Sequence, residues 1–211
     1  MLKMKLVLLL LSAIGGVQAQ YPGFKPVADM NKFSQLFTTA ARNTQSIKSD
    51  FVQEKNLSML SEKIVSKGKF WFKKNNQVRM EYTQPFQYLM IINQNNVYIR
   101  DGQKENKIST RSNKLFQQIN KIIIDCIQGS VLNNPEYKTA VFENNQAFLI
   151  ELKPSAKALK EFFKNINILV SKKDYSVTTL ELHEQTGDKT VITYTNKELN
   201  TTLADALFAI H

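Results

Sequence analysis

Between Ile64 and Ile99, apolar side chains recur at every second position in successive short runs, a period that fits antiparallel strands. Phe70 and Phe72 fall on one face of the first run, Val78, Met80 and Tyr82 on one face of the second, and Leu89 and Ile91 on one face of the third. The interruptions are turn chemistry. Asn75-Asn76 suits a tight hairpin with positive φ, Thr83-Gln84-Pro85 stops a ladder, and Asn93 to Asn96 turns the chain again. The stretch is therefore predicted to meander as successive strands that present one broad apolar wall.

Upstream of the wall, Lys3 and Lys5 precede an apolar run from Leu6 to Ile14 and then Val17-Gln18-Ala19, the layout of a secretory signal over residues 1–19. That run is too short to span a bilayer, and no later run reaches the ~20 apolar residues a spanning helix requires. Gln20, the residue after the predicted cut, is not a cysteine, so an acylated lipoprotein anchor is not expected. Residues 20–211 contain no repeat, low-complexity tract or Pro/Gly-rich linker, and are predicted to form one domain with its own core.

Asp29 to Ile47 places Phe33, Leu36, Phe37, Ala40 and Ala41 at helical spacing behind Asp29 as N-cap. Strands are expected at 51–57, at 64–73 and through the meander, with another near Glu105 to Ser109. The period then changes to 3.6. Leu115, Phe116, Ile119, Ile122, Ile123, Cys126 and Ile127 form a wide stripe on Ser112 to Gln128, and Gly129 supplies the stop. Two readings of this stripe stay open, ordinary core over a sheet face or a lid over an apolar pocket. After Asn134-Pro135, strands are expected at Lys138–Glu143, Ala147–Lys153, Ile166–Val170, Ser176–His183 and Thr190–Thr195, with a short helix within Ser155–Asn165 and an edge strand at Leu207–Ile210. About eleven strands with few helices predict a mainly β fold, one strongly curved antiparallel sheet or incomplete barrel covered by an N-terminal helix and an inserted helix.

Gly68-Lys-Phe-Trp-Phe-Lys-Lys74, Val78-Arg-Met-Glu-Tyr-Thr-Gln-Pro85 and the strand start Phe51-Val-Gln53, in this order of elements, resemble the periplasmic outer-membrane lipoprotein carriers of the LolA family. The resemblance implies an incomplete barrel with a helical lid that holds the acyl chains of lipoproteins. Such a carrier receives its cargo from an inner-membrane lipoprotein-releasing ABC transporter and hands it to an outer-membrane acceptor, acting in the periplasm of a Gram-negative bacterium as a soluble monomer. On this reading, with the inward face taken from strand parity alone, Phe51, Phe72, Val78, Met80, Tyr82, Leu89 and Ile91 are the candidate acyl-chain wall, and Phe116, Ile119 and Ile123 the candidate lid. The resemblance places the basic latch residue at Lys74, where the family's Arg-Pro is replaced by Lys74-Asn75; lysine lacks the planar fork of arginine, and Arg79 is the other basic residue at hand. The alternative is a carrier or sensor of the same fold for another lipid or amphiphile, and a third reading is an interaction module whose apolar faces simply form a closed core.

Residues for other chemistry are scarce. The two histidines are His183 and the terminal His211, and Cys126 is the sole cysteine, so catalytic pairs, metal-ligand spacings and disulfides have few residues to draw on. Glu81, Glu151, Glu181 and Glu184 fall on strands without a spacing that singles out an acid–base pair. No enzyme activity and no cofactor are expected. The formal net charge of +10 includes the two leader lysines, and the remaining lysines alternate with Asn, Gln and Thr as on a solvated β surface. That pattern suits weak attraction to anionic headgroups and not nucleic-acid binding.

Overall fold

A computed structural model describes residues 21–60, 62–94, 96–102, 104–109 and 114–210. The predicted signal segment 1–19, the predicted helix start at Ser112 and the last residue His211 lie outside these, as do the side chains of residues 104–117 and 120. The first helix, α1 (Met30–Asn43), begins where expected, because Asp29 is extended and its carboxylate accepts from the Lys32 amide at 2.9 Å. It buries Phe33 and Phe37, one turn apart. It stops at Asn43 and not at Ile47, because Ile47 belongs to the next strand and is paired with Phe72.

Among the described residues, twelve strands form one antiparallel sheet: β1 (Lys25–Pro26), β2 (Ser46–Leu57), β3 (Glu62–Lys73), β4 (Gln77–Gln84), β5 (Tyr88–Asn93), β6 (Asn96–Asp101), β7 (Lys104–Ser109), β8 (Tyr137–Glu143), β9 (Ala147–Pro154), β10 (Phe163–Ser171), β11 (Val177–Glu184) and β12 (Lys189–Leu199). Their spatial order is β1-β8-β9-β10-β11-β12-β2-β3-β4-β5-β6-β7, so the chain's two strand series join where β12 meets β2 and the sheet is not closed into a barrel. Asn75 and Asn76 both have positive φ, 76° and 61°, as the tight β3–β4 hairpin requires. The inserted helix α2 (Lys114–Gln128) is followed by Gly129 in the left-handed region at φ 71°. A short turn of helix, α3 (Lys157–Lys160), occupies the predicted 155–165 segment and gives way to β10 at Phe163.

The main core lies between the inner sheet face and the two long helices. Phe33 and Phe37 of α1, Ile122, Ile123 and Cys126 of α2, and inward side chains from β2 through β6 and β8 through β12 belong to one buried cluster. A second, smaller cluster lies on the opposite face of β5 and β6: Leu89, Ile91 and Tyr98 are covered by Leu203 and Phe208, with Trp71 beside them. Two expectations are corrected here. Leu207–Ile210 is not an edge strand; Asp205–Phe208 is a 3-10 turn that lays Phe208, wholly buried, against this outer face. The inward parity of β5 is the reverse of that predicted, since Met90 and Ile92 pair with Met80 and Val78 on the inner face while Leu89 and Ile91 point outward. Both faces of β5 are buried, so alternation in that run carries no sign of which face is inner.

Candidate functional site

The family-like residues on β2, β3 and β4 converge on one point of the inner face. Phe51 stands opposite Gly68 in the ladder, and a Cβ on Gly68 would meet the Phe51 ring at 2.7 Å and the Glu81 carbonyl at 2.1 Å. Only glycine leaves room there for the ring. Phe51 also packs edge-on to Tyr82, with centroids 4.9 Å apart, and the Tyr82 hydroxyl donates to Gln53 Oε1 at 2.9 Å. Phe72, Val78 and Met80 are fully buried beside them. Five of the seven predicted wall residues thus share the inner face, and Leu89 and Ile91 do not.

A narrow cleft opens between the helices and the inner face. Ala40, Ala41 and Thr44 of α1 and Ile123, Cys126 and Ile127 of α2 form one side; Ile47, Ser49, Phe70, Leu180, Tyr194 and Lys197 of the sheet form the other. Its cavity volume is about 60 Å³, far below the ~300–1,000 Å³ of a ligand pocket. The apolar side chains nearly meet across it. Of the predicted cavity and lid residues whose side chains are described, Ile123 alone lines the cleft. Ile119 is partly buried against the main core, and the side chain of Phe116 lies outside the described residues. Sequence reasoning missed the β11 and β12 contributors, Leu180, Tyr194 and Lys197. Strand alternation was visible there, but nothing local tells that β12 lies next to β2.

Cys126 is buried in the cleft wall, and burial pushes its thiol well above the ordinary range. It is a small hydrophobe here, as its place in an apolar run predicted. His183 sits on β11 with its Nε2 3.3 Å from Glu181 Oε2. The acidic strand residues face cations instead of one another: Glu81 accepts from Arg79, Glu151 lies 3.3 Å from Lys153, and Glu181 lies 3.2 Å from Lys189. Among the described residues, no group of three His, Cys, Asp or Glu side chains is placed to hold a metal ion, and no helix is long and apolar enough to cross a membrane.

Polar contacts tie the helices to the segments around them: Lys121 of α2 pairs with Glu136, and Asp125 accepts from Asn134 at 2.7 Å and from Ser130 at 2.9 Å. Lys74 donates to the Arg42 carbonyl at 3.3 Å and so links the β3–β4 hairpin to the end of α1, not to α2. Arg79 points to the outer face, donating to Glu81 and to the Leu207 carbonyl and stacking 5.6 Å from the centre of the Trp71 ring. The contact that joins α2 to the hairpin is one that sequence reasoning did not name: Gln128 Nε2 donates to Asn76 Oδ1 at 3.1 Å. One residue on, Gly129 sits against α1, where a Cβ would come within 2.9 Å of Ala41 Cβ.

Residues 42–211 match the family described as Outer membrane lipoprotein carrier protein LolA. No curated protein matches the chain. Among solved structures, it is similar to an uncharacterized conserved protein from Thermus thermophilus at 8% identity and a TM-score of 0.51, over 83% of this chain and 91% of that one. MucB is similar at 14% identity and a TM-score of 0.51, with 88% of this chain and 64% of that one covered. A LolA superfamily protein from Nitrosomonas europaea aligns at 9% identity and a TM-score of 0.46, over 84% and 97% of the two chains. At such identities the likeness speaks for the fold.

Proposed function

We propose, from the premise that this chain belongs to the outer membrane lipoprotein carrier protein LolA family, that it is a periplasmic carrier that binds acyl chains between α2 and the inner sheet face. In this reading residues 1–19 are a leader removed on export. The carrier takes acylated lipoproteins from an inner-membrane ABC transporter and delivers them to an outer-membrane acceptor, with no chemical step of its own.

The observation that supports this most is the cleft itself, an apolar seam between a sheet and an inserted helix. Its small volume requires α2 to lift before a chain can enter. Lifting α2 would widen the cleft beside Phe70 and Ile47 and open room along the inner face, where Phe51, Phe72, Val78 and Met80 belong to the same buried cluster. The energetics suit a shuttle. Each enclosed methylene gains ~0.8 kcal/mol, so a ~16-carbon chain gains on the order of 13 kcal/mol when wholly buried. Closing the helices back onto their own apolar faces returns much of that energy and lets cargo leave.

Native mass spectrometry of the protein isolated from its own host tests this reading. A bound triacylated peptide is expected. A different bound lipid would favour the alternative, a same-fold carrier or sensor of another amphiphile, and a ligand-free protein that also fails to take up a synthetic triacylated peptide would remove the carrier reading.

A further inference from the structure

Among the residues that line the cleft are the polar side chains of Thr44, Ser49, Asp174, Ser176, Tyr194 and Lys197. The register of β12 with β2 shifts between Thr195 and Glu198, and Asn196 adopts positive φ of 51°. This bulge carries the Lys197 side chain into the lining of the cleft. Its ammonium donates to Ser176 Oγ and, at 3.0 Å, to the Val177 carbonyl. An ammonium has three protons to donate, and among the described residues no carboxylate lies within the 4.0 Å of an ion pair. Asp174 is the nearby anion, but its Oδ1 accepts from the Ser176 amide at 3.0 Å and the Ser176 hydroxyl at 2.7 Å. Burial holds the Lys197 ammonium below the ordinary lysine range, with the field of Asp174 opposing that shift.

Ser49 is 3% exposed, and its hydroxyl has no hydrogen-bond partner although it lines the cleft. It stands opposite Phe70 on β3, and on its other side β2 runs beside the bulge that holds Lys197. Tyr194 also lines the cleft, with its ring packed edge-on to Phe70 at 5.2 Å. A buried hydroxyl left without a partner costs free energy unless something else completes it. Tethering of the Ser176 turn accounts for two of the Lys197 bonds, but not for Ser49.

Resting on the acyl-cleft reading above, in its alternative form of a same-fold carrier of another amphiphile, we infer that Lys197 and Ser49 form a head site beside Asp174, so that the cleft takes a single-chain amphiphile with an anionic head, a carboxylate or a phosphate. A neutral acyl terminus has no use for the ammonium. An anionic oxygen at this point would complete the Lys197 donor set and accept from Ser49, in surroundings where water competes poorly.

The test uses residues 20–211, stripped of lipid, and displacement of an apolar fluorophore from the cleft by three probes: palmitate, methyl palmitate and 1-palmitoyl-lysophosphatidylglycerol, each below its micellar concentration. At least one anionic probe is expected to bind about tenfold or more tighter than the ester. Preference for palmitate identifies the head as a carboxylate, and preference for the lysolipid identifies it as a phosphate. Lys197→Met should bring the anionic probe to the level of the ester, Lys197→Arg should keep most of the preference, and Ser49→Ala should reduce it several-fold. Equal affinity of all three probes for the unaltered protein overturns the head site while leaving the acyl cleft standing, as does a preference that survives Lys197→Met. Failure of every probe to bind overturns both. Should Lys197→Met not fold, the unaltered protein and Ser49→Ala decide between these outcomes.

Discussion

Strands β3 to β6 carry two apolar faces, and each is covered in a different way. On the inner face lies α2, joined to the β3–β4 hairpin by the exposed Gln128–Asn76 contact and to α1 at Gly129. On the outer face lies the C-terminal segment, held at several points by side chains of the strands beneath it. Arg79 donates to the Leu207 carbonyl at 3.2 Å, Asn93 to the Phe208 carbonyl at 3.1 Å, and Lys73 to the Leu203 carbonyl at 3.2 Å and to Asp205. Both covers bury a side chain completely, Ile122 on the inner face and Phe208 on the outer, and the inner one also borders a cleft. Burial alone does not distinguish a lid from a permanent cover. The proposed lid role assigns the moving part to the inner helix, although Lys121 pairs with Glu136 and Asp125 accepts from Asn134 and Ser130 there as well.

The largest effect should come from the outer cover. Phe208→Ala is expected to cost ~3–5 kcal/mol of global stability in urea unfolding, and a loss below ~1 kcal/mol would mean that the segment is an ornament on the sheet. Arg79→Ala removes the donor to the Leu207 carbonyl and leaves Glu81 and the Trp71 face without their cation. A loss of ~1–3 kcal/mol is expected by the same measurement.

Gly129→Ala sharpens the comparison from the inner side. The added methyl must be held at φ 71° and 2.9 Å from Ala41. The left-handed conformation costs ~1–2 kcal/mol for a residue with a Cβ, and because that strain is felt where α2 meets α1, it should loosen α2 as well as lower the melting temperature. The readout is amide exchange, which in the unaltered protein is expected to be faster in α2 than in β3 and β4 and to slow when an acyl ligand is bound. Equal protection of α2 and these strands, with and without ligand, would make the inner helix as fixed as the outer segment.

The smallest change in stability, under ~1 kcal/mol, is expected for Gln128→Ala, since the contact it removes is exposed. Its effect on opening should be easier to see. Cys126 lies in the cleft wall with its thiol buried, so its labelling by a thiol reagent reports each lifting of α2, and the variant should label faster. An unchanged labelling rate would take Gln128 out of the latch. Lys74→Ala serves as the companion, because its bond runs to α1 and should alter Cys126 labelling less than Gln128→Ala does.

Much of the fold was legible in the residues. Alternation marked the strands of the meander; Asn75-Asn76 marked a hairpin that both residues enter with positive φ; Asp29 and Gly129 marked the helix boundaries they occupy. These are local matters, decided by steric limits on φ, by capping and by the period of side chains along one element. Gly68 with Phe51 was legible as a pattern, although its cause, a ring lying where a Cβ would be, is visible only in three dimensions.

Tertiary structure decided the rest. A period of two separates two faces but does not say which is inner, and in β5, where Leu89, Met90, Ile91 and Ile92 are all buried, neither face is polar enough to tell. The outer cover was read as a strand because Leu207–Ile210 is apolar, and only the waiting surface of Leu89, Ile91 and Tyr98 makes it a buried turn instead. The cleft draws on Ser49, Phe70, Ile123, Leu180 and Lys197, which are brought together by the junction of β12 with β2 and by a bulge that changes the direction of one lysine. Strand pairing across nearly the whole length of the chain and a one-residue shift in register leave no periodic trace in sequence, because the energy that selects them is the burial of faces contributed by distant segments.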